Sequence, residues 1–259
     1  MDDEQVPPPH ASAAQPADTQ PAGRGVLVGV CSWTDPTLLR SGWYPAPAQT
    51  AAARLRYYAT QFGLVEVDST YYALPSERAV AGWIERTPDG FVFNVKAYAP
   101  LTQHTLDVRT LPPALRDDLP GRLRSQPRLY ARDTPLWFTR TLWQHFRTAV
   151  RPLHEAGKLG AILLQFPPWF RISRANRDYI TQIRKWLPDY RLAVEFRHIS
   201  WLQERSRQQT LDHLADHGMT YVCVDEPQEF RSSVPPIVAA TNPTLGMVRL
   251  HGRNSAAWA

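Results

Sequence analysis

The sequence predicts an α/β fold, a TIM-like (β/α) barrel of parallel strands that apparently lacks its last βα unit. Seven short apolar runs alternate along the chain with stretches of helical periodicity, which is the pattern of repeated βα units. Between these runs the sequence carries no turn signal typical of a β-hairpin, so we expect parallel strands joined by helical crossovers. Five of the runs become polar at their carboxyl ends, which is where barrel enzymes carry their sites.

The chain has 259 residues, of which 43% are hydrophobic and 20% charged, and this composition suits one large globular domain. Residues 1–24 are rich in Pro and Ala without a periodic apolar pattern, so we expect a disordered tail there. Residues 25–259 are then a single barrel domain, incomplete at its carboxyl end. Two cysteines exclude a disulfide scaffold. The apolar runs are too short to cross a bilayer and the acidic start is not a secretory signal, which indicates a cytoplasmic protein without membrane association.

Each predicted strand is a short apolar run bordered by turn or polar residues. The strands are expected at residues 26–31, 64–68, 91–96, 161–165, 191–195, 221–224 and 247–250. Predicted helices have apolar residues at helical spacing, and several have an end signal, such as Ser76 at a start or Gly157 and Gly218 at an end. They lie at residues 48–62, 76–86, 138–156, 174–187 and 208–217. The long proline-rich segment 97–137 is expected to be a loop over the barrel mouth.

Alternation of side chains divides each predicted strand into two faces. In residues 191–195, Leu192 and Val194 share one face, and Glu195 lies on the other, in phase with Arg197. The same alternation places a polar set at the barrel mouth: Asp68, Lys96, Gln165, Glu195, Arg197, Arg249 and His251. Burial of unpaired charges is costly, and a core built only for stability would carry Val, Ile and Leu there. The charges therefore predict a functional cleft, and the structural alternative is that the acids, Glu66 among them, simply pair with the cations.

Three further residues near strand ends are candidates for ligand contact. Trp33 follows the first predicted strand, and the alternative for it is packing beneath a loop. Tyr71 follows the second strand and offers a hydroxyl, whereas His198 falls out of the strand alternation and is expected on the rim. Cys31 and Cys223 end separate strands and are interpreted as small buried residues without a redox role.

Five motifs in order along the chain are those of a known family. They are VEVDSTYY at residues 65–72, FVFNVK at 91–96, LLQFPP at 163–168, AVEFRH at 193–198 and RLHGR at 249–253. With these motifs the sequence resembles the domain of unknown function 72 family, the YecE-like proteins. The resemblance implies a TIM-like barrel with a polar pocket and no established reaction. It places the family's polar motif residues at Asp68, Lys96, Gln165, Glu195, Arg197, His198, Arg249 and His251.

The sequence departs from that family pattern in three places. Asp68 stands where family members usually carry Asn, which adds a negative charge at the mouth, and Ile199 stands where proline is common. Family members usually continue through another βα unit after the seventh strand, whereas this chain ends at Ala259. The expectation is a truncated chain or an open barrel with two exposed sheet edges.

The first functional hypothesis is a hydrolase or isomerase acting on an anionic or phosphate-bearing substrate. Glu195 would be the general base or acid, with His251 or His198 as a second proton carrier. Arginine and lysine would bind the anion. The predicted catalytic residues are Glu195, Lys96, His251 and Asp68, and the predicted substrate-binding residues are Arg197, Arg249, Gln165, His198, Trp33 and Tyr71.

Two alternatives remain open at the level of the sequence. The chain carries no nucleotide-cofactor motif, but a divalent metal bound by Asp68, Glu195, His198 and His251 would make it a metal-dependent phosphoesterase. The net charge of +5 also permits a nucleic-acid-binding protein without catalysis. The expected partner is thus an anionic small molecule or a nucleic acid, while the cofactor and the oligomeric state stay open.

Overall fold

The main sheet consists of six parallel strands and is curled. The computed structural model describes residues 25–130, 133–230 and 233–253, so the predicted disordered tail lies outside the described residues. The strands, numbered along the chain with the two of a separate small hairpin, are β1 (Leu64–Val67), β2 (Val92–Lys96), β3 (Leu106–Asp107), β4 (Arg128–Leu129), β5 (Leu159–Gln165), β6 (Leu192–Glu195), β7 (Thr220–Asp225) and β8 (Met247–Leu250). In the main sheet the order β1-β2-β5-β6-β7-β8 follows the chain, and every neighbouring pair is parallel. The architecture is consistent with a TIM-like fold.

Helices connect the successive strands of this sheet from β1 to β7, whereas the described residues between β7 and β8 contain no helix. In chain order they are α1 (Pro36–Arg40), α2 (Ala51–Gln61), α3 (Glu77–Glu85), α4 (Pro113–Asp117), α5 (Gly121–Arg124), α6 (Leu136–Glu155), α7 (Arg174–Trp186) and α8 (Glu204–Asp216). The five predicted helices correspond to α2, α3, α6, α7 and α8, and α8 begins four residues before the predicted start. No helix in the described ranges is long and apolar enough to span a membrane.

The ends of these helices are set by local chemistry that the sequence shows. The hydroxyl of Ser76 accepts a hydrogen bond from the Ala79 amide, and that of Ser173 accepts one from the Asn176 amide, so α3 and α7 have capped starts. Gly157 and Gly218 adopt φ of 66° and 61° just after α6 and α8, a conformation that glycine takes at little cost. These turns direct the chain from a helix into β5 and β7.

Six of the seven predicted strands are confirmed, and the one at residues 26–31 is wrong. The chain there runs beside β1 but shares with it one backbone hydrogen bond, from the Glu66 amide to the Val30 carbonyl at 3.0 Å. The Val30 amide instead donates to the hydroxyl of Tyr58 at 2.9 Å. Because the segment lies at the border of the sheet, Val26 and Val28 are exposed rather than packed, and no ladder forms over residues 25–31.

The prediction of a plain loop at residues 97–137 is also wrong. This segment contains the antiparallel pair β3–β4 and the helices α4 and α5, in spite of the missing hairpin signal. Its leucines are buried and join the main hydrophobic core, which explains why it is ordered: Leu101, Leu106, Leu111, Leu115, Leu119, Leu123 and Leu129.

Candidate active site

The carboxyl ends of the sheet strands bring together a buried ion network around Glu195. We call it the Glu195 network, and it consists of Glu66, Gln165, Glu195, Arg197, Glu226, Arg249 and His251. Glu195 is the last residue of β6 and is 0% exposed. Its register partner on β5 is Gln165, which also ends its strand. Parallel strands end at one edge of a sheet, and this geometry is what gathers the network.

Both carboxylate oxygens of Glu195 are occupied. Oε1 accepts from Nε of Arg197 at 2.5 Å and from Nε2 of Gln165 at 2.9 Å. Nε2 of His251 lies 3.2 Å from the same oxygen. Oε2 accepts from Nη1 of Arg249 at 2.5 Å. A buried carboxylate with this many donors is fully compensated for its loss of water.

Arg249 ties the first and last strands of the sheet to this carboxylate. Its Nε and Nη2 donate to Oε2 and Oε1 of Glu66 at 2.9 and 2.7 Å, a two-pronged contact across the sheet. Its Nη1 donates to Glu195, so the buried guanidinium contacts two carboxylates, those of Glu66 and Glu195. The sequence predicts substrate binding by Arg249, which stays a prediction; in this structure its Nε, Nη1 and Nη2 donate to the carboxylates of Glu66 and Glu195.

Arg197 and His251 form the more accessible side of the network. Nη1 of Arg197 donates to Oε2 of Glu226 at 2.8 Å, and Nη2 lies 2.9 Å from Nε2 of His251. The other oxygen of Glu226 accepts from the Val234 amide at 2.7 Å. The side chains of Arg197 and His251 are 15% and 14% exposed, so both reach the surface of the cleft.

The surroundings set the protonation of the two deepest carboxylates in opposite directions. Burial acts to raise the pKa of Glu195, but the hydrogen bond from His251 and the charges of Arg249 and Arg197 outweigh it and hold the pKa well below its ordinary value. For Glu226, burial prevails over the Val234 amide and Arg197, and the pKa is raised. Glu195 is thus a firmly ionised carboxylate and a weak base at neutral pH.

A second group of side chains surrounds Lys96, and we call it the Lys96 cluster: Asp68, Tyr71, Lys96, His104 and Trp169. Nζ of Lys96 lies 2.8 Å from Oδ1 of Asp68 and 4.5 Å from the ring centre of Tyr71. His104 meets the Tyr71 ring edge-on at 5.1 Å between centroids. Burial and then the Lys96 charge lower the pKa of His104 to about 4, so its imidazole is neutral at physiological pH.

Two predicted site residues lie apart from both groups. Trp33 is 8% exposed, donates from Nε1 to the Ala51 carbonyl at 3.0 Å and packs against Trp83, so it belongs to the layer of helices rather than to the cleft. His198 lies on the rim, where its Nδ1 contacts Ser200 and its Nε2 lies 3.1 Å from Nε of Arg171.

The structure also shows site residues that sequence reasoning missed. Glu226 directly follows β7, and it was overlooked because the strand was predicted to end at residue 224. Glu66 was treated only as a counter-charge, although it holds one side of Arg249. Trp169 comes from a loop, where no strand alternation marks a side chain as pointing towards the cleft. For His104, also in a loop, the sequence leaves open contact with the site or a solvated position, and the structure places it against Tyr71 and Trp169.

The four residues proposed as metal ligands are not gathered at one point. Glu195 and His251 are in contact, but Asp68 pairs with Lys96 and His198 contacts Ser200 and Arg171. Within residues 25–130, 133–230 and 233–253, no three His, Cys, Asp or Glu side chains are arranged to hold a metal ion. Cys31, expected to be buried at the end of a strand, is instead exposed and follows no strand. Its thiol lies 3.4 Å from Arg249, and loss of water around the sulfur and then the charge of Glu66 raise its pKa to about 11.

The fold and the site together define an α/β half-barrel protein with a buried acid–arginine–histidine network at the carboxyl edge of its sheet. The family model described as "Protein of unknown function DUF72" matches residues 27–259. The chain belongs to this family.

Relatives and solved structures agree with the assignment. The chain is 29% identical to UPF0759 protein YunF of Bacillus subtilis (strain 168) over 90% of its length and 72% of that protein. It is 25% identical to UPF0759 protein YecE of Escherichia coli (strain K12) over 86% of its length and 74% of that protein. A DUF72 family protein from Enterococcus faecalis V583 superposes with a TM-score of 0.68 at 28% identity, over 90% of this chain and 73% of that one. One from Thermotoga maritima MSB8 gives 0.61 at 30% identity, over 84% and 71%.

Proposed function

We propose that this DUF72 protein is an enzyme of the hydrolase or isomerase type that moves a proton on an anionic substrate held in the cleft at the strand ends. The observation that carries the proposal is the contact of His251 with the fully buried carboxylate of Glu195. An imidazole held by a buried carboxylate is the arrangement by which enzymes orient a proton carrier and stabilise its charged form. We also take the six-stranded sheet as part of a TIM-like barrel, in which this edge is the mouth.

Roles within the network follow from its contacts. In the role proposed for His251, its Nε2 proton is directed to Oε1 of Glu195, 3.2 Å away, and the lone pair on Nδ1 takes up a proton from substrate. This tautomer requires Nη2 of Arg197, which lies 2.9 Å from Nε2, to turn towards the bound anion. Glu195 was predicted to be the general base, but its lowered pKa makes it a poor one, so its role here is to position His251. Arg249 and Gln165 position Glu195 in turn.

Cations on the accessible side of the cleft supply the attraction for an anion. The side chain of Arg197 is 15% exposed, and its Nη2, which contacts His251 rather than a carboxylate, is the donor that it would turn to an anion. Lys96 reaches the cleft with a side chain that is 12% exposed. An anionic substrate would compete with Asp68 for Lys96, and a lysine held by one carboxylate retains donors for a second partner. This supports a small phosphorylated or carboxylated substrate.

The test is a screen of phosphorylated and carboxylated metabolites for turnover, followed by two histidine variants on the substrate found. His251→Asn removes the proton carrier, and we expect kcat to fall by about 100-fold or more. His145→Asn, an exposed histidine on α6, is the matched control and should leave kcat unchanged. Wild-type turnover in His251→Asn would refute the assignment.

A second candidate function is binding of single-stranded nucleic acid, and one observation favours it. Tyr72 and Trp169 are 65% and 58% exposed. Tyr72 packs against Tyr71, whose ring faces Lys96, and Trp169 precedes Arg171 by two residues in the chain. Aromatic rings next to basic side chains are typical of surfaces on which bases stack. Oligonucleotide binding that weakens steeply between low and moderate salt, and that Trp169→Ala reduces, would favour this function over catalysis.

A further inference from the structure

A pocket on the rim, outside the Glu195 network, gathers cationic and other hydrogen-bonding side chains, and no carboxylate is among the described residues that line it. Its volume is about 510 Å³, and its polar lining consists of Arg171, His198, Ser200, Gln203 and Arg205. Arg171 follows β5 in the chain and His198 follows β6, so the pocket lies on the same edge of the sheet as the network. We call it the Arg171 pocket.

The hydrogen bonds of His198 fix which ring nitrogen carries its proton. Nδ1 receives the Ser200 amide at 3.0 Å, and an amide donates only, so Nδ1 is an acceptor. The Ser200 hydroxyl lies 2.8 Å from the same nitrogen and itself accepts from the Ile172 amide at 2.9 Å, which leaves its proton to point at Nδ1. A neutral imidazole has one donor and one acceptor nitrogen, and so Nε2 bears the proton.

This tautomer leaves two donors facing each other. Nε of Arg171 lies 3.1 Å from Nε2 of His198, and both atoms carry hydrogen. A second proton on the ring would not give Arg171 an acceptor, because it would place a second positive charge beside the guanidinium. Burial and then the charge of Arg171 lower the pKa of His198, which favours the neutral ring. Arg171 is placed to donate to Nε2, but in this tautomer Nε2 bears its own hydrogen, so the two N–H groups point at each other and neither has an acceptor.

Charge in the pocket points to the nature of that acceptor. Arg205 lines the same pocket, and no carboxylate is among the described residues that line it. Within the described ranges, neither Arg171 nor Arg205 forms an ion pair. Two guanidinium groups without counter-charge and an imidazole N–H suit an oxyanion that accepts several hydrogen bonds at once.

We propose that the Arg171 pocket is a phosphate-binding subsite in which His198 Nε2, Arg171 and Arg205 donate to one phosphoryl group. The proposal deepens the proposed function, because it assigns the anionic group of the substrate to the rim and leaves the Glu195 network for proton transfer. Only the statement that the bound phosphate is part of a substrate rests on the proposed function. Binding of phosphate itself does not depend on it.

The test is titration calorimetry of the full chain with inorganic phosphate at constant ionic strength. Arg171→Gln and Arg205→Gln should each weaken phosphate binding by about tenfold or more, since each removes charged donors. Arg174→Gln is the matched control, because it removes the same charge three residues from Arg171 on a side chain that is 94% exposed, and it should bind phosphate as the wild type does. Equal binding in all four proteins, or none in the wild type, would overturn the proposal.

A second measurement examines the tautomer directly. Long-range ¹H–¹⁵N spectra of the histidine rings, with His198 assigned from the signals lost in His198→Gln, should show the proton on Nε2. A proton on Nδ1 would give Arg171 its acceptor and remove the basis of the pocket. Phosphate binding that depends on Arg171 together with full turnover in His251→Asn would instead uphold the subsite and refute the proposed function.

Discussion

Among the residues at the strand ends, Glu195 is the one on which most contacts of the Glu195 network depend. Two arginines, a glutamine and a histidine surround its carboxylate, which has no exposed surface. Removing one member of a buried ion network lowers the free energy of unfolding by more than the intact network adds to it. The reason is that the remaining partners stay buried with an unpaired charge. The residue therefore controls stability as well as the orientation of His251.

Replacing Glu195 with Gln should lower the free energy of unfolding by about 3 kcal/mol or more, since Arg197 and Arg249 each lose a buried ion pair. Urea unfolding at pH 7.5 measures the change. Glu155→Gln on the surface of α6, whose pair with Arg151 is solvent-exposed, is the control and should change stability by less than about 0.5 kcal/mol. A loss in Glu195→Gln as small as that of the control would contradict the network's role.

His104 should make stability depend on pH in a defined window. Its pKa is lowered from 6.5 to about 4 in the folded state, so the unfolded state binds the proton first as the pH falls. The stabilisation is complete above pH 6.5 and is lost as the pH falls towards 4, by an amount on the order of 2 kcal/mol. His104→Gln should flatten this slope in unfolding curves measured from pH 7.5 to 4.5, whereas exposed His145→Gln should retain it. Equal slopes in the two variants would show that His104 is not the group responsible.

Strands β2 and β5 approach each other closely at the point where the hydrogen-bond ladder between them is irregular. The register shifts between Phe93 and Val95, and Oδ1 of Asn94 accepts from the Ala161 amide at 3.0 Å in place of a backbone carbonyl. Gly160 lies against this side chain: a Cβ there would collide with Val92 and Asn94. Glycine is thus required for close approach, and it allows β5 to follow β2 across the irregularity.

Gly160→Ala should destabilise the protein by about 2 kcal/mol, because the added methyl group forces the two strands apart. Gly121→Ala in α5 is the matched control, since a Cβ there meets nothing within 4 Å, and it should be neutral or slightly stabilising. Thermal unfolding of both variants measures the difference. Similar melting temperatures would mean that the strands can separate without cost.

The sequence predicts elements of this fold better than it predicts partners within the site. Alternation along β6 and β8 correctly places Glu195, Arg197, Arg249 and His251 on one side, because each strand carries its own period of two. The division into the Glu195 network and the Lys96 cluster could not be predicted, since it depends on how neighbouring strands are offset. Trp33 is a candidate because it follows the predicted strand at residues 26–31, and since that segment forms no strand, a position at a strand end does not describe it.

At the scale of the whole molecule, the outer face of β8 carries two exposed apolar residues on a border strand of the sheet. Val248 and Leu250 are 66% and 75% exposed, whereas Arg249 between them is buried in the network. One strand thus presents its polar residue to the interior and its apolar residues to solvent. An exposed apolar strand at the border of a sheet favours association between chains.

The double variant Val248→Lys, Leu250→Lys should therefore reduce association at high protein concentration, as measured by light scattering, while leaving the melting temperature nearly unchanged. Val238→Lys is the control, because Val238 is 92% exposed but lies outside any strand. It should scatter as the wild type does. An equal reduction by the control would attribute the effect to net charge and not to β8.

The contact of Arg249 with Glu66 and Glu195 has a consequence for synthesis of the chain. The arginine follows these acids by 183 and 54 residues, so both carboxylates leave the ribosome long before their shared counter-charge. Until Arg249 is made, Glu66 and Glu195 lack this shared counter-charge, and burying them is costly. We therefore expect β1 and β2 to pair early and the two carboxylates to stay hydrated until β8 has been synthesised, so that the site assembles later than the strands that carry most of it.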